Sequence, residues 1–510
     1  MRKVYAGVGL FTVAVMTIAT GCGNSGSQST STGSVAKQAL TASGIPKLNY
    51  KGDITFFAQA YTPVGPGIKS VAGSAKLHEL ETLAKKFEKM YPNIKIQFVD
   101  PSFQDTNQQV QTKTAAGQMY DIYFNQYENF NSVFPQGIVY DLNPYFNQPN
   151  PFIPGNKKWK SVMNPNILSA TEAPGGQQYN LDADYVGVEF YYNKTLFNKA
   201  GISSPPKTWA ELIADCKQLQ AHGIQPGADV PTYDWWVRVA LGNYLGLSTL
   251  KKIAGFDKQP GISTLDNAIA YHKGILNPTT NPKIMAWWPL AAQLYQYWNK
   301  DTTVIPWDNE PTGAQTGTKL FDAGKVAMVF NLTAIPNTVQ TANNGKAPFQ
   351  VGSFAFPSLA GTSKYATSYN SAGDAGGPQA AFQYAISTEK ADSSMTADKF
   401  QACLAWLQFI STPQNAQATI NELGEFVPTL KGTKPVPALQ SVEQLLNKPW
   451  YQEDGGQFFT SAEYTTVRNI FQEYVSGNLS LAQATQQYEQ AVEKGFNAYV
   501  AQQHIDFSKY

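Results

Sequence analysis

Apolar and polar residues alternate along the chain with two periods, and this pattern predicts a succession of strands and helices. The stretch DITFFAQA, from Asp53, is typical of a β-strand, and it leads into a loop with Tyr61 and Pro63. KLHELETLAKKFEKM has apolar residues at helical spacing, and Pro92 and Asn93 mark a turn before a second strand. QQVQTKTAAGQMYDIYFNQ repeats the helix and the strand. Alternating units of this kind predict an α/β fold of mostly parallel sheets flanked by helices.

The central stretch QQYNLDADYVGVEFYYNKTLFNKAGISSPPKTWAELIADCKQLQ contains the longest apolar strand pattern. A helical turn, a Pro-Pro break and a helix that begins near Thr208 follow this strand. Cys216 lies on the apolar face of that helix, and Cys403 lies on the apolar face of DKFQACLAWLQFI. We therefore expect two buried thiols. A disulfide stays open as an alternative, because it requires the two helices to be adjacent.

The first 21 residues have the pattern of a secretory signal peptide. Arg2 and Lys3 precede an apolar run over 4–19, which is short for a membrane span of about 20 residues. The run ends in IATGC, which resembles the lipobox of bacterial lipoproteins, in which the cysteine, here Cys22, becomes the diacylated N-terminus. The alternatives are an ordinary signal peptide with an incidental cysteine, or an uncleaved anchor. The polar segment at 22–49 is predicted to be a flexible tether.

Composition narrows the class of protein further. A chain of 510 residues exceeds one hydrophobic core, so two domains are expected. With 38 Lys and Arg against 37 Asp and Glu, the charge balance argues against nucleic-acid binding. Aromatic residues make up 13% of the chain, and in loops they serve recognition. After the signal peptide, the chain has two arginines, Arg238 and Arg468. This scarcity disfavours a phosphorylated ligand, although helix N-termini could bind phosphate in place of arginine.

The sequence lacks the motifs of the common enzyme classes. Its four histidines lack metal-ligand spacing, and no C-x-x-C occurs. No phosphate loop, no G-x-G-x-x-G after a strand and no G-x-S-x-G elbow is present. We therefore expect no metal, no cofactor and no covalent chemistry.

A family resemblance rests on several blocks in a specific order. YYNKTLFNKAGISSPPKTWAEL resembles the signature of the bacterial extracellular solute-binding proteins of family 1, the maltose-binding-protein-like family that supplies ABC importers. FEKMYPNIKIQF, AAGQMYDIYF, YDLNPYF, LFDAGKVAMVFN and CLAWLQFISTPQNAQATINELGEFVPT resemble its other blocks. Together they cover most of the chain from Asp53 to Tyr510. The region 227–311 is longer and richer in tryptophan than the family pattern, and PSLAGTSKYATSYNSAGDAGGPQAAFQYAIS is also extended.

The resemblance implies a type II periplasmic-binding-protein-like fold, with two α/β lobes and a ligand cleft at the hinge. It places lobe 1 at 50–185 plus 332–377, and lobe 2 at 186–331 plus 378–510. The predicted hinge crossings lie at 182–188, 330–332 and 376–382. Closure of two lobes around a ligand is a recognised switching mode, and it requires ligand contacts from both lobes.

Sugars present apolar CH faces and polar OH edges, so their sites need aromatic platforms beside Asp, Asn, Gln or Glu. The ligand-binding candidates come from loops of both lobes and from the crossings: Tyr61, Gln126, Tyr127, Glu128, Asp184, Trp235, Trp236, Trp287, Trp288, Trp307, Asp308, Asn331, Asp374 and Glu425. By its spacing to YYN, Asp184 matches an acidic position of the family that contacts solute hydroxyls; the alternative is a hinge carboxylate that caps a turn, and Asp182 is a weaker alternate. For the first-lobe candidates, the alternative is a surface-loop residue or, for Tyr61, a tyrosine at the edge of the core. One tryptophan of each pair should face the core or the surface, and Trp298 should be core.

The sequence thus predicts a lipid-anchored protein that captures a carbohydrate, in particular an oligosaccharide, and delivers it to an ABC permease. We expect a monomer on the extracytoplasmic face of the cell membrane, anchored through Cys22, in a Gram-positive-type bacterium. A non-sugar polar solute is one alternative. A glycoside hydrolase is another, because paired carboxylates among aromatic residues also describe a glycosidase cleft. A surface sugar sensor is the third.

Overall fold

The structure is a computed structural model, and it describes residues 39–64, 77–100, 107–125, 137–173, 176–228, 237–257, 262–298, 314–343, 346–369, 381–443 and 461–510. The strands in these ranges are β1 (Gly52–Phe57), β2 (Ile94–Phe98), β3 (Ile122–Phe124), β4 (Leu181–Asp182), β5 (Asp184–Tyr185), β6 (Val188–Asn193), β7 (Met328–Leu332), β8 (Val351–Phe354), β9 (Gln383–Ile386) and β10 (Val427–Pro428).

The α-helices in the same ranges are α1 (Glu79–Met90), α2 (Asn107–Ala115), α3 (Asn143–Phe146), α4 (Pro165–Ala170), α5 (Lys194–Lys199), α6 (Trp209–Ala221), α7 (Gly242–Leu245), α8 (Leu247–Ile253), α9 (Thr264–His272), α10 (Trp288–Tyr295), α11 (Ala314–Asp322), α12 (Ile335–Ala342), α13 (Ala397–Ile410), α14 (Pro413–Leu423), α15 (Gln440–Glu443), α16 (Ser461–Val475) and α17 (Leu481–Gln503).

Local sequence signals account for where several of these elements begin. Thr208 and Glu211 form a capping box, so α6 begins where the sequence predicts. The side chain of Asn193 accepts hydrogen bonds from two backbone N–H groups of the next turn, which ends β6 and starts α5. Cys216 and Cys403 lie on buried helix faces and are free thiols, which confirms the prediction of two buried thiols.

The first lobe is built on a five-stranded sheet with the order β2-β1-β3-β9-β4. β1 is parallel to β2 and β3, with Ile54 opposite Ile96 and Phe56 opposite Ile122. β9 is antiparallel to β3 and β4. Helices α1, α13 and α14 pack their apolar faces against this sheet in one core. The α/β class is therefore confirmed, whereas parallel pairing is confined to β2-β1-β3 among the described strands.

The second lobe is built on a three-stranded antiparallel sheet with the order β7-β6-β8. Its core contains residues of α6, α10, α16 and α17, together with Phe190 and Phe354, whose rings stack with centroids 5.0 Å apart. A smaller cluster around Val329 and Val339 packs α12 on the other face of the sheet.

A hinge ribbon connects the two sheets. The chain leaves the first sheet after β4, forms β5, and enters the second sheet at β6. β5 pairs antiparallel with β10, which places Tyr185 opposite Val427 and Asp184 opposite Pro428. Tyr185 and Val427 form a small apolar cluster with Ile167, Leu439 and Val442, and this cluster is separate from both lobe cores. The predicted crossing at 182–188 therefore joins the two sheets.

Strand pairing differs from the predicted division of lobes in two segments. β8 pairs with β6 of the second sheet, although 332–377 was predicted to belong to lobe 1. β9 pairs with β3 of the first sheet, although 378–510 was predicted to belong to lobe 2. The chain thus does not return to the first sheet at 330–332, because β7 and the next strand, β8, both pair with β6 of the second sheet. A strand pattern reveals which face is buried but not which strand lies beside it.

Candidate functional site

The candidate site lies at one edge of the first sheet, where the hinge ribbon begins. β1 and β3 end at this edge, β9 starts there, and β4 leaves it toward β5. Ligands of open α/β sheets bind beyond the carboxyl ends of the parallel strands. The side chains and backbone groups at this edge are therefore the first to consider.

Tyr61 occupies the end of the short 3-10 helix Gln59–Tyr61 that follows β1. Its side chain is buried, and its hydroxyl donates a hydrogen bond to Oδ2 of Asp184 at 2.5 Å. The rings of Phe382 and Phe426 lie edge-on at centroid distances of 5.9 and 6.1 Å. Gln59 adopts φ +50, a left-handed backbone conformation that is costly for a residue other than glycine. The chain thus turns sharply to aim Tyr61 at the hinge.

Asp184 is fully buried in β5 and collects three neutral donors. Besides the Tyr61 hydroxyl, the backbone N–H of Phe382 donates to Oδ1 at 2.9 Å, and that of Ala381 donates to Oδ2 at 3.2 Å. Burial raises the pKa of Asp184 to about 7, and the three donors oppose this rise. The carboxylate thereby connects the ends of β1, β5 and β9.

Asp182, at the end of β4, is a second buried carboxyl group beside Asp184. It is 5% exposed, and its carboxyl group lies beside the hydroxyl of Thr171. Burial raises the pKa of Asp182 to about 8, the Thr171 side chain opposes the rise, and the Asp184 carboxylate adds to it. At pH 7 the carboxyl group of Asp182 is therefore mostly protonated, and that of Asp184 is close to half protonated.

Glu425 links the two lobes near Tyr61. It follows α14 of the first lobe, and its Oε1 accepts a hydrogen bond of 2.8 Å from Nδ2 of Asn337 in α12 of the second lobe. Burial raises the pKa of Glu425. Asn331 lies farther along β7, where its Nδ2 donates to the hydroxyl of Thr318 at 3.2 Å. The structure thus brings Tyr61, Asp184 and Glu425 together, and it places Asn331 on the second sheet.

Two predicted tryptophans belong to the core of the second lobe instead of the site. Trp287 and Trp288 are 0% and 1% exposed, and their rings pack against Phe471 at 5.6 and 5.1 Å. The prediction that they bind the ligand is therefore corrected: the pair starts α10 at a point where both rings are covered by α16. Trp298 is also core, as expected.

The other predicted residues lie outside the described residues. They are Gln126, Tyr127, Glu128, Trp235, Trp236, Trp307, Asp308, Asp374 and Cys22. Their assignments stay predictions from the sequence.

Sequence reasoning missed the donors of this site. The N–H groups of Ala381 and Phe382 carry no side-chain signal, so no pattern could have revealed them. Asn337 follows Pro336 at the start of α12, and only its proximity to Glu425 gives it a role. The sequence favours Asp184 over Asp182, although the i, i+2 spacing in an extended segment predicts that the two side chains share a face.

Within the described ranges, no group of three His, Cys, Asp or Glu side chains could hold a metal ion. In the same ranges, no helix combines the length and the apolar character that a membrane span needs. What the hinge offers is a set of hydrogen-bond acceptors and donors in a desolvated setting, which suits the recognition of a polar solute.

The family model of the bacterial extracellular solute-binding proteins matches residues 74–417. The chain therefore belongs to this family of extracytoplasmic solute-binding proteins. Among solved structures, RafE, known from Streptococcus pneumoniae and solved in complex with raffinose, aligns with a TM-score of 0.57 and 19% identity over 88% of this chain and 99% of RafE. This similarity establishes the two-lobed fold.

Curated relatives match shorter segments. A binding protein of Brucella abortus (strain 2308) is 28% identical over 218 residues, which is 41% of this chain and 49% of the relative. The chain thus spans about half the length of this relative. The sn-glycerol-3-phosphate-binding periplasmic protein UgpB of the same organism is 33% identical over 86 residues, 16% of this chain and 20% of UgpB. The two named ligands, raffinose and glycerol 3-phosphate, differ in charge.

Proposed function

We propose that this protein captures a carbohydrate, in particular an oligosaccharide, between its two lobes and delivers it to an ABC permease. The observation that carries the proposal is the Glu425–Asn337 pair, two part-exposed polar side chains that come one from each lobe and are hydrogen-bonded to each other. The buried Tyr61–Asp184 hydrogen bond fixes the hinge ribbon to the end of β1 beside them. Carboxylate and amide side chains are suited to bind sugar hydroxyls. The binding of raffinose by RafE, which shares the fold, supports a sugar ligand.

Closure of the lobes would convert ligand occupancy into a shape that a permease can distinguish. The Glu425–Asn337 hydrogen bond already spans the two lobes, so their relative position is open to control by groups at the hinge. We further propose that the protein acts as a monomer and performs no covalent chemistry on its solute.

We propose that Cys22 anchors the protein by two acyl chains on the extracytoplasmic face of the membrane. Two chains anchor stably where one does not, and the polar residues after Cys22 provide reach. Mass spectrometry of the membrane fraction should find an acylated N-terminal peptide that begins at Cys22. The Cys22→Ser variant should appear in the soluble fraction. An unmodified Cys22 in the membrane-bound wild type would contradict the anchor.

A thermal-shift screen tests the ligand. A sugar at about 100 times its Kd stabilises the bound form by about 2.7 kcal/mol, which raises the melting temperature measurably. The Asp184→Asn variant should lose this response, whereas the exposed Asp53→Asn variant should keep it. A response to an amine or a peptide, with none to any sugar, would refute the carbohydrate proposal. Hydrolysis products after incubation with oligosaccharides would instead support a glycoside hydrolase.

A further inference from the structure

A group of lysines lies on the first lobe, next to the hinge ribbon. Two stretches of the chain, 142–171 and 426–442, contain no aspartate or glutamate, and lysines are their only charged residues. The second stretch contains β10 of the hinge ribbon. Among these lysines Lys160 is half-buried and the others are exposed. We call the group the lysine patch: Lys157, Lys158, Lys160, Lys431 and Lys434. It is a locally positive surface on a chain whose formal net charge is +1.

The two stretches form one surface because the fold joins them. The backbone N–H of Lys431 donates to the carbonyl of Val162 at 2.7 Å, which connects the turn after β10 to the first stretch. Trp159, in the middle of the first three lysines, is fully buried, and its Nε1 donates to the hydroxyl of Ser411 at 3.1 Å. The backbone beneath the lysine patch is therefore held in place, while most of its side chains stay exposed.

The charges of the lysine patch are not neutralised within the described ranges, where none of its members forms an ion pair. The backbone N–H of Lys434 donates to the side chain of Gln417 on α14. Glu422, on the same helix, uses its two carboxylate oxygens to accept the backbone N–H groups of His78 and Glu79 before and at the start of α1. Unpaired exposed cations attract an external anionic surface.

The composition of the lysine patch favours a lipid surface over a protein partner. Protein interfaces are built around aromatic and arginine anchors and are depleted in lysine. The exposed large apolar side chains of the described ranges are Leu40 and Tyr510, and both lie outside the two stretches. Lysine is a compact charge on a flexible stem, so several lysines can attract an anionic membrane without a shaped pocket. The predicted anchor at Cys22 would keep such a membrane within reach.

We propose that the lysine patch binds anionic phospholipid headgroups on the extracytoplasmic surface of the membrane. The acyl anchor and the lysine patch then act as two linked contacts, and the second turns the hinge side of the first lobe toward the membrane. Each lysine at an anionic surface raises the membrane affinity about fivefold, and salt weakens the contact because exposed charges are screened. The inference goes beyond the proposed function and requires neither a sugar nor the acyl chains.

Vesicle flotation of the full chain with Cys22→Ser, purified from the soluble fraction, tests the lysine patch without the acyl chains. We expect this protein to float with phosphatidylcholine vesicles that contain about 30% phosphatidylglycerol, in about 50 mM salt. Binding should fall at least about tenfold in about 500 mM salt. Vesicles of phosphatidylcholine alone should not bind the protein, and equal binding to both kinds of vesicle would overturn the inference.

Two triple variants in the same background locate the contact. Lys157→Gln, Lys158→Gln and Lys431→Gln together should lower binding to the anionic vesicles at least about tenfold. The matched control is Lys217→Gln, Lys251→Gln and Lys252→Gln, which removes the same charge from exposed lysines of the second lobe. The control should bind as the Cys22→Ser chain does. An equal loss in the two variants would mean that net charge alone governs binding, which overturns the inference.

The remaining outcomes separate a membrane from other partners. If protein that circular dichroism shows to be folded does not bind the anionic vesicles, the inference is refuted. Polyglutamate is the probe for an acidic protein surface, and binding of polyglutamate through the lysine patch without binding of vesicles also refutes a membrane contact. None of these measurements involves a sugar, so the carbohydrate proposal can fail while this inference stands, and the reverse also holds.

Discussion

Replacing Asp182 with asparagine should stabilise the protein, and the gain should grow with pH. The side chain is 5% exposed, and its carboxyl group lies beside the neutral Thr171 hydroxyl and the acidic Asp184. Burial raises the pKa of Asp182 from its ordinary value of 3.8 to about 8. Asparagine has nearly the same shape and cannot ionise, so it removes the charge while it retains the packing.

The direction of the effect follows from proton binding. The unfolded chain releases the Asp182 proton above about pH 4, whereas the folded protein keeps it up to about pH 8. The folded state therefore binds one more proton within this window, and the free energy of unfolding falls as the pH rises. At about 1.4 kcal/mol per pH unit, the loss reaches about 4 kcal/mol at pH 7. Below the window the loss vanishes, and above it the loss is constant at its maximum.

Urea denaturation of wild type and variant, followed by circular dichroism at about pH 4, 6, 7 and 8, measures this difference. The gain of Asp182→Asn should be near zero at the lowest pH and about 4 kcal/mol at pH 7. Asp53→Asn, at an exposed position of β1, is the matched control and should change little at any pH. A gain that does not vary with pH, or a loss that deepens above pH 6, would refute the reasoning. Either result would mean that the folded protein holds Asp182 ionised.

Three further substitutions test other parts of the structure. Lys399→Met should cost about 3–5 kcal/mol of unfolding free energy, because it leaves the buried Asp121 carboxylate without its cation. Trp288→Ala should cost a similar amount by opening a cavity, about 3–5 kcal/mol, while ligand affinity in the folded variant stays unchanged. In Gly187→Ala the new Cβ would lie 2.8 Å from Cγ1 of Val442, so denaturation should show a loss of about 1–3 kcal/mol. Adding Val442→Ala should recover part of this loss, and no recovery would contradict the predicted clash.

The sequence predicts the local elements of this fold well, because their signals are local. The alternating pattern around Phe56 and the capping box at Thr208 both depend on residues close in the chain. Asp184 and Tyr61 could be selected because each follows or starts a strand near the expected hinge. Their direct hydrogen bond joins residues 123 positions apart, and the sequence alone gives no sign of it.

The errors arise where the answer depends on a distant partner. β8 and β9 have similar short apolar patterns, and their membership of different sheets is decided by pairing with β6 and β3. Trp287 is typical of a sugar platform by residue type, yet α16 covers it, and α16 lies more than a hundred residues later in the chain. Two of the hydrogen bonds to Asp184 likewise come from backbone donors that any residue type other than proline could supply.

The strand order of the first sheet also constrains how the protein folds as it is made. β9 lies between β3 and β4, so β4 joins the sheet by pairing with β9, with Leu181 opposite Tyr384. The first lobe therefore cannot close its sheet until about three quarters of the chain has been synthesised, and α16 and α17 of the second lobe come later still. Pairings of such large sequence separation form slowly and leave apolar edges exposed meanwhile. For an exported chain this order has a consequence: the first sheet stays incomplete until β9 becomes available to pair with β3 and β4.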